Sequence, residues 1–163
     1  NLQYINLKSF NTSNLISLFS MFSYCTNLRY LDLSSFDTSN INDMSFMFSH
    51  YQSLTSINLM SFNTTNVTQM SSIFSYCHNL INLDLKNFDF GKVKSFSYFF
   101  SEDSNLEEIN LCSLQHYENL NISYNNMFSK VPSNVKIHIK EDVYKILKSL
   151  NDTFIGDNPI FDC

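Results

Sequence analysis

Apolar residues recur along this chain in one repeating order, and the copies begin at positions 1, 27, 53, 79 and 105. Each copy opens with alternating leucine or isoleucine, passes through an aromatic residue and a polar turn, and closes with apolar residues three and four positions apart. A 26-residue period is typical of solenoids, in which each copy buries its apolar face against its neighbours. We therefore predict five stacked repeats over residues 1–130.

The opening of each copy predicts a short strand. In the second copy Leu31 and Leu33 flank the polar Asp32, which is the alternation of a half-buried strand. Because the pattern returns at the same place in every copy, neighbouring strands are expected to pair in parallel and in register. An apolar residue after the turn, Ile41 in this copy, predicts a second short strand or bridge. The aromatic residue between them is expected to point inward, and in the first four copies it is Phe10, Phe36, Phe62 and Phe88.

The closing segment of each copy predicts a helix of about two turns. In the second copy its apolar positions are Met44, Met47, Phe48 and Tyr51, the spacing of one helix face. A helix this short is not stable alone, so stacking on the neighbouring copies must hold it. One phenylalanine from each copy is expected to join a continuous buried ladder, made of Phe22, Phe48, Phe74 and Phe100.

The repeat loses its regularity toward the C-terminus. The fifth copy reaches its Met127-Phe128 pair two residues late, which indicates an insertion. After Pro132, residues 135–139 alternate as a strand, and residues 141–150 have the pattern of an amphipathic helix with acidic residues in its first turn. We interpret residues 131–163 as a C-terminal strand-helix cap on the array. The predicted class is α/β.

Composition limits the function classes. Lys+Arg 10 against Asp+Glu 15 gives a net charge of −5, so the chain lacks the basic surface that nucleic-acid binding requires. No apolar run is long enough to span a membrane, and no signal peptide opens the chain. Because residue 1 already begins a repeat, we expect a segment of a longer repeat protein. With Gly 2 and Pro 2, turns must be made by Asn, Asp, Ser and Thr side chains.

The four cysteines are of two kinds. Cys25 and Cys77 hold the same repeat position two copies apart, which stacked strands place roughly 9.6 Å from each other. A disulfide needs Cα atoms within about 6.8 Å, so these two are predicted to be unpaired, buried apolar side chains. The sequence does not decide whether Cys112 and Cys163 meet.

The outward side of the predicted sheet is where a solenoid binds its partners. Exposed tyrosine is enriched at interfaces. The candidate contact residues on this side are Tyr4, Lys8, Tyr30, Asp32, Ser34 and Met60. The Asn/Asp column on the same side is expected to hydrogen-bond along the stack, with cation binding as a weaker alternative.

No residue set has the spacing of a catalytic, cofactor or metal site, so none is predicted. The histidines, which are expected to be exposed polar residues, are His50, His78, His116 and His138.

The segment LxxLDLSSFDTSN–xxMSxMF at 28–48 closely resembles the BspA-like leucine-rich repeats of bacterial surface proteins and lipoproteins and of some protist surface proteins. The resemblance covers residues 1–129. It implies a right-handed leucine-rich-repeat-like solenoid, with a parallel sheet on one face and short helices on the other, secreted to the cell surface for adhesion or protein binding. The chain departs from the family where glycine usually precedes the cysteine of the closing segment. Tyr24, His50, Tyr76 and Glu102 stand there.

These observations predict a non-enzymatic adhesion or protein-interaction module of an extracellular or cell-surface protein. It would bind a protein or glycoprotein, such as a host or matrix protein, across the open sheet face. Two alternatives are a structural spacer or stalk, and a cytoplasmic protein-binding scaffold, which the predicted unpaired cysteines favour.

Overall fold

The repeats lie one against the next in a computed structural model that describes residues 2–115, 122–150 and 157–163. Its strands are β1 (Asn82–Asp84), β2 (Glu108–Asn110), β3 (Lys136–His138) and β4 (Asn158–Ile160), and its helix is α1 (Glu141–Ser149). The strands form one parallel sheet in the order β1-β2-β3-β4. The molecule is therefore α/β, as predicted. None of the described residues forms a helix with the length and hydropathy needed to cross a lipid bilayer.

The sheet confirms parallel, in-register pairing where it is regular. Leu83 of β1 pairs with Ile109 of β2, which holds the same position in the next copy. Ile109 pairs in turn with Ile137 of β3, which lies slightly beyond one repeat interval, as the predicted two-residue insertion requires. In the first two copies the pairing is reduced to a single bridge between Tyr4 and Tyr30. Isolated bridges near the predicted second strand join Ser17, Asp43 and Gln69 in successive copies.

The predicted helices in the closing segments are wrong. Each segment is a series of tight turns, in which the N–H of Met47 donates to the carbonyl of Met44 at 3.2 Å and the N–H of Tyr51 donates to that of Phe48 at 3.1 Å. The third residue of such a turn has positive φ, as at His50 with φ 58. The i, i+3, i+4 spacing of apolar residues fits these turns as well as it fits a helix.

Hydrogen bonds between copies explain why turns replace helices. The alternate N–H groups of residues 44, 46, 48 and 50 donate to carbonyls of the third copy at 2.8–3.0 Å. A two-turn helix leaves its first four N–H groups without an intrahelical partner. In the stacked turns the neighbouring copy satisfies half of the N–H groups and the local turns satisfy others. The same ladder runs from the first copy to the fifth.

The predicted phenylalanine ladder is confirmed. The rings of Phe22, Phe48 and Phe74 are stacked, with centroids 6.0 and 5.5 Å apart, and Phe100 continues the stack at 6.3 Å. Phe48 is completely buried. Phe10, by contrast, was predicted to point inward but is 60% exposed, because no described copy covers the outer side of the first copy.

Polar side chains close the corners of each copy. Thr38 Oγ1 accepts the Asn63 N–H at 2.8 Å and donates to the Asn63 carbonyl at 3.0 Å, so one hydroxyl satisfies both backbone groups of the next copy. Thr64 does the same with Asp89. Asp37 Oδ1 accepts the N–H of Ser39, an Asx-turn, as the low glycine and proline content predicted.

The segment interpreted as a cap contains, in its described part, the predicted strand and helix together with a strand that was not predicted, β4. Helix α1 buries Val143, Tyr144 and Leu147, and β4 pairs in parallel with β3. Cys112 and Cys163 form a disulfide with a Cα–Cα distance of 5.2 Å, which ties the end of the chain to the fifth copy. Cys25 and Cys77 are unbridged, as predicted, but only Cys77 has the predicted burial, since Cys25 is half-buried.

Truncation of the buried ladder tests the packing. Phe48→Ala is expected to lower the free energy of unfolding by about 3–5 kcal/mol, because it leaves a cavity between two stacked rings. The matched control Phe10→Ala removes the same group from an exposed site and should cost less than about 0.5 kcal/mol. Chemical denaturation measures both, and equal losses would contradict the ladder.

The left-handed turn residues allow a second test. Tyr76 has φ 61, a conformation that strains any residue with a Cβ atom. Tyr76→Gly should therefore be more stable than Tyr76→Ala by about 1 kcal/mol in thermal or chemical unfolding. At Tyr4, which has no positive φ, the alanine variant should instead be more stable than the glycine variant. An alanine variant as stable as the glycine variant at Tyr76 would argue against the turn.

Candidate binding surface

The six residues predicted for partner contact lie together on the sheet side of the first three copies, and we call this set the sheet surface. Tyr4 and Tyr30 stack with ring centroids 6.2 Å apart and remain 59% and 58% exposed. Their backbones are joined by the parallel bridge between the first two copies. The pair therefore forms an exposed aromatic platform.

A fixed carboxylate lies beside this platform. Asp32 Oδ1 accepts hydrogen bonds from the Ser34 N–H at 3.0 Å and the Ser34 hydroxyl at 2.6 Å. Lys8 lies 3.7 Å from the other carboxylate oxygen. The two Ser34 hydrogen bonds, and then Lys8, hold the pKa of Asp32 below its usual value. Asp32 is thus an oriented anion at neutral pH, and Lys8 adds a cation next to it.

A groove of about 530 Å³ opens between the second and third copies on the same surface. It is lined by Tyr30, Asp32 and Ser34 from one side and by Met60 from the other. Met60 is 58% exposed, and its Sδ receives the Asn87 side-chain amide at 3.0 Å. Four of the six predicted residues thus line one concave site, and Tyr4 and Lys8 contact its wall.

The backbone along this groove is open. Between the described residues 29–34 and 55–60, no backbone hydrogen bond joins the two copies. On the opposite side of the same two copies, the closing segments remain fully bonded to each other. Among the described residues, the N–H groups of Leu31 and Ile57 have no hydrogen-bond acceptor, so they are available to an added chain, as at the edge of a sheet.

The Asn/Asp column does not hydrogen-bond along the stack, and that prediction is wrong. Each side chain accepts the backbone N–H two residues ahead within its own copy, at 3.0–3.1 Å. The five acceptors are Asn6, Asp32, Asn58, Asp84 and Asn110. The side-chain oxygen is therefore bonded within its own copy, in an Asx-turn that directs the chain away from the strand.

The histidine prediction also needs correction. His138 is largely covered, with Nδ1 2.9 Å from Asp162 and Nε2 3.0 Å from Glu108. These carboxylates, Asp162 first, raise the pKa of His138. Its protonated form therefore links β2, β3 and the end of the chain. His50 is inserted between Tyr24 and Tyr76, and His116 lies outside the described residues.

One group of metal-ligating side chains occurs among the described residues: Cys112, Asp162 and Cys163. Both sulfur atoms are committed to the disulfide, so the group lacks the thiolates that a metal would need.

A second groove, of about 420 Å³, was not predicted from the sequence. It lies along the closing segments, and its aromatic lining includes Tyr24, Phe46, Tyr76 and Tyr98. The sequence does contain a signal for this groove, because Tyr24, His50 and Tyr76 occupy the same position in three successive copies. These residues depart from the family pattern, as the sequence shows, but the helical interpretation did not predict that their rings would stack and line a groove.

Asp103 is a buried carboxyl in the core. Its Oδ1 accepts the Cys77 N–H at 2.7 Å, whereas Oδ2 has no hydrogen-bond partner in the described part of the chain. Burial raises the pKa of Asp103 well above its usual value. Protonation of Asp103 is therefore more favourable in the folded chain than in the unfolded chain.

This raised pKa predicts a pH-dependent stability. A group whose folded pKa exceeds its unfolded pKa stabilises the fold at low pH, and the contribution is lost as pH rises. Asp103→Asn should therefore gain more stability over the parent protein at pH 7 than at pH 4, measured by urea denaturation. The exposed Glu107→Gln removes the same charge and should give no such difference. An equal effect of Asp103→Asn at both pH values would contradict the raised pKa of this buried carboxyl.

Most of the repeat array matches a known protein family. The family model described as "Mycoplasma protein of unknown function, DUF285" matches residues 1–113, and the chain belongs to this family. The match covers four copies and the start of the fifth and ends before β3, α1 and β4. The chain matches no curated protein and no solved structure.

Proposed function

We propose that this chain is a non-enzymatic interaction module that binds a protein or glycoprotein through the sheet surface. The observation that carries the proposal is the groove between the second and third copies, which joins an aromatic platform, an oriented ion pair and open backbone. Stacked tyrosines supply contact area at low cost in conformational entropy. Exposed peptide groups accept an extended segment by strand addition.

The architecture that we infer is a right-handed, leucine-rich-repeat-like solenoid of the BspA-like type. Hydrogen bonds between residues one copy apart, and ring stacks with the same offset, support it. In such an array a partner contacts several copies at once. The sheet surface draws its residues from three successive copies, which is consistent with this mode of binding.

The disulfide provides an argument about the cellular compartment in which the protein functions. A bond between Cys112 and Cys163 is typical of proteins that function in an oxidising environment. This supports the extracellular or cell-surface location over the cytoplasmic scaffold. Cys25 and Cys77 do not weigh against it, because Cys77 is buried and burial raises the pKa of both thiols.

The experiment uses a panel of purified extracellular-matrix and serum glycoproteins, with binding measured by surface plasmon resonance. The test variant replaces Tyr4, Lys8, Tyr30 and Met60 together by serine. It should lose at least about tenfold in affinity for any glycoprotein that the parent binds, because the aromatic platform and the cation are removed. Its thermal unfolding should stay close to that of the parent, since all four side chains are largely exposed.

The matched control replaces the exposed residues Phe10, Ile16 and Lys145, which lie outside the sheet surface. It should bind like the parent. If the test variant kept its affinity, the sheet surface would not be the binding site. If the parent protein bound none of the glycoproteins in the panel, the result would favour the spacer alternative.

A further inference from the structure

The groove along the closing segments, which we call the turn groove, is separate from the sheet surface and has a different chemistry. None of the described residues that line it is Asp, Glu, Lys or Arg. Its polar groups are serine and tyrosine hydroxyls and the imidazole of His50. Burial, and then the neighbouring His78, lowers the pKa of His50. An uncharged occupant therefore matches the groove better than a charged one.

One wall of the turn groove is continuous. Tyr24, His50 and Tyr76 stack with centroids 4.3 Å apart and nearly parallel planes. All three have positive φ, which turns each ring outward at the same point of its copy. Because the ring faces cover one another, the wall presents ring edges and tyrosine hydroxyls to the groove.

The other wall alternates between large and small residues. The equivalent positions of the second, third and fourth copies hold Phe46, Ser72 and Tyr98. Ser72 is a small residue between the two aromatic ones, and at 6% exposure it forms the floor of a notch in this wall. Ser20 is a second small residue at this position in the first copy, and the ring of the neighbouring Phe19 packs against Phe46 with centroids 5.7 Å apart. Small and large residues therefore alternate at this one position with a period of two copies.

The hydrogen bonds between copies give the spacing of this pattern. The N–H of Phe46 donates to the Ser71 carbonyl at 3.0 Å, and that of Ser72 donates to the Ser97 carbonyl at 2.9 Å. Copies joined in this way are separated like strands in a sheet, by about 4.8 Å. Phe46 and Tyr98 are therefore roughly 9.6 Å apart along the groove.

This distance selects one peptide conformation. A polyproline II helix has three residues per turn and rises about 3.1 Å per residue, so its residues i and i+3 are about 9.3 Å apart on one side. A β-strand repeats on one side every about 6.6 Å and loses register with the wall. The backbone of polyproline II has no internal hydrogen bonds, so its carbonyls are free to accept from the hydroxyls that line the groove.

We propose that the turn groove binds an uncharged, proline-rich peptide segment in the polyproline II conformation, with prolines three residues apart. One proline packs in the notch at Ser72 between Phe46 and Tyr98. The proline three residues away reaches the small position at Ser20. Tyr24 and Tyr76 donate hydrogen bonds to peptide carbonyls from the opposite wall. Aromatic-lined grooves bind such segments because the ligand is already ordered.

The binding test measures fluorescence anisotropy with a labelled, uncharged twelve-residue peptide, (Pro-Ala-Ser)4, with blocked ends. The control peptide has the same composition, with its prolines placed so that no two of them are three residues apart. We expect saturable binding of the first peptide and at least about tenfold weaker binding of the second, the effect of losing about 1.4 kcal/mol of contact. Absence of binding, or equal binding of both peptides, would overturn the proposal.

Variants of the wall test the site itself. Ser72→Phe fills the notch with a residue that the same position already holds in the second copy, and it should weaken peptide binding at least about tenfold. Tyr98→Ser removes one side of the notch and should have a similar effect. The matched control Met60→Ser, on the sheet surface, should leave peptide binding unchanged. Circular dichroism and thermal unfolding show whether each variant is folded.

A competing titration with a neutral oligosaccharide, maltohexaose, separates two ligand classes. We expect no displacement of the bound peptide. If the oligosaccharide bound at the Tyr98-dependent site and the peptide did not, the groove would be a glycan site and the proposal would be wrong. Unchanged peptide affinity in both folded wall variants would also contradict it.

Discussion

The structure depends on the hydrogen bonds that each closing segment makes with the next copy. Alternate N–H groups, such as those of Phe46 and Phe48, are satisfied only by a neighbour, and the phenylalanine ladder packs directly on this framework. A single copy therefore lacks half of the hydrogen bonds of its closing segment and has no core of its own. The ring stacks and the backbone hydrogen bonds both join residues one copy apart, so each of them independently specifies the same register of the array.

The same framework decides which surfaces are free to bind. Because the closing segments hold the copies together, the opening segments need not pair continuously. Between residues 29–34 and 55–60 they leave a groove without loss of the stack behind it. Positive φ recurs at two points of each copy, and at the second of them it turns residues such as Tyr24 and His50 outward in a column. Both candidate surfaces thus follow from turns that repeat, and their chemistry follows from the side chains that differ between copies.

The sequence predicted what repeats and missed what depends on local geometry. Leu83 and Ile109 pair as the repeat period requires, and Phe48 lies in the predicted ladder. The helices were wrong because the spacing of Met44, Met47 and Phe48 fits either a helix or a series of turns. Only the acceptors on the next copy decide between them. The sheet-surface residues were found because alternation assigns them to one side. The turn groove was missed because its φ angles carry no sequence mark without glycine.

Hydrogen exchange resolved by residue tests the central claim that bonds between copies in the closing segments hold the array together. The N–H groups of Phe46 and Phe48 should exchange as slowly as global unfolding allows, because their acceptors lie on the third copy. Residues 55–59 should exchange much faster, since no backbone bond joins them to the second copy. Exchange at Phe46 and Phe48 as fast as at residues 55–59 would contradict the account.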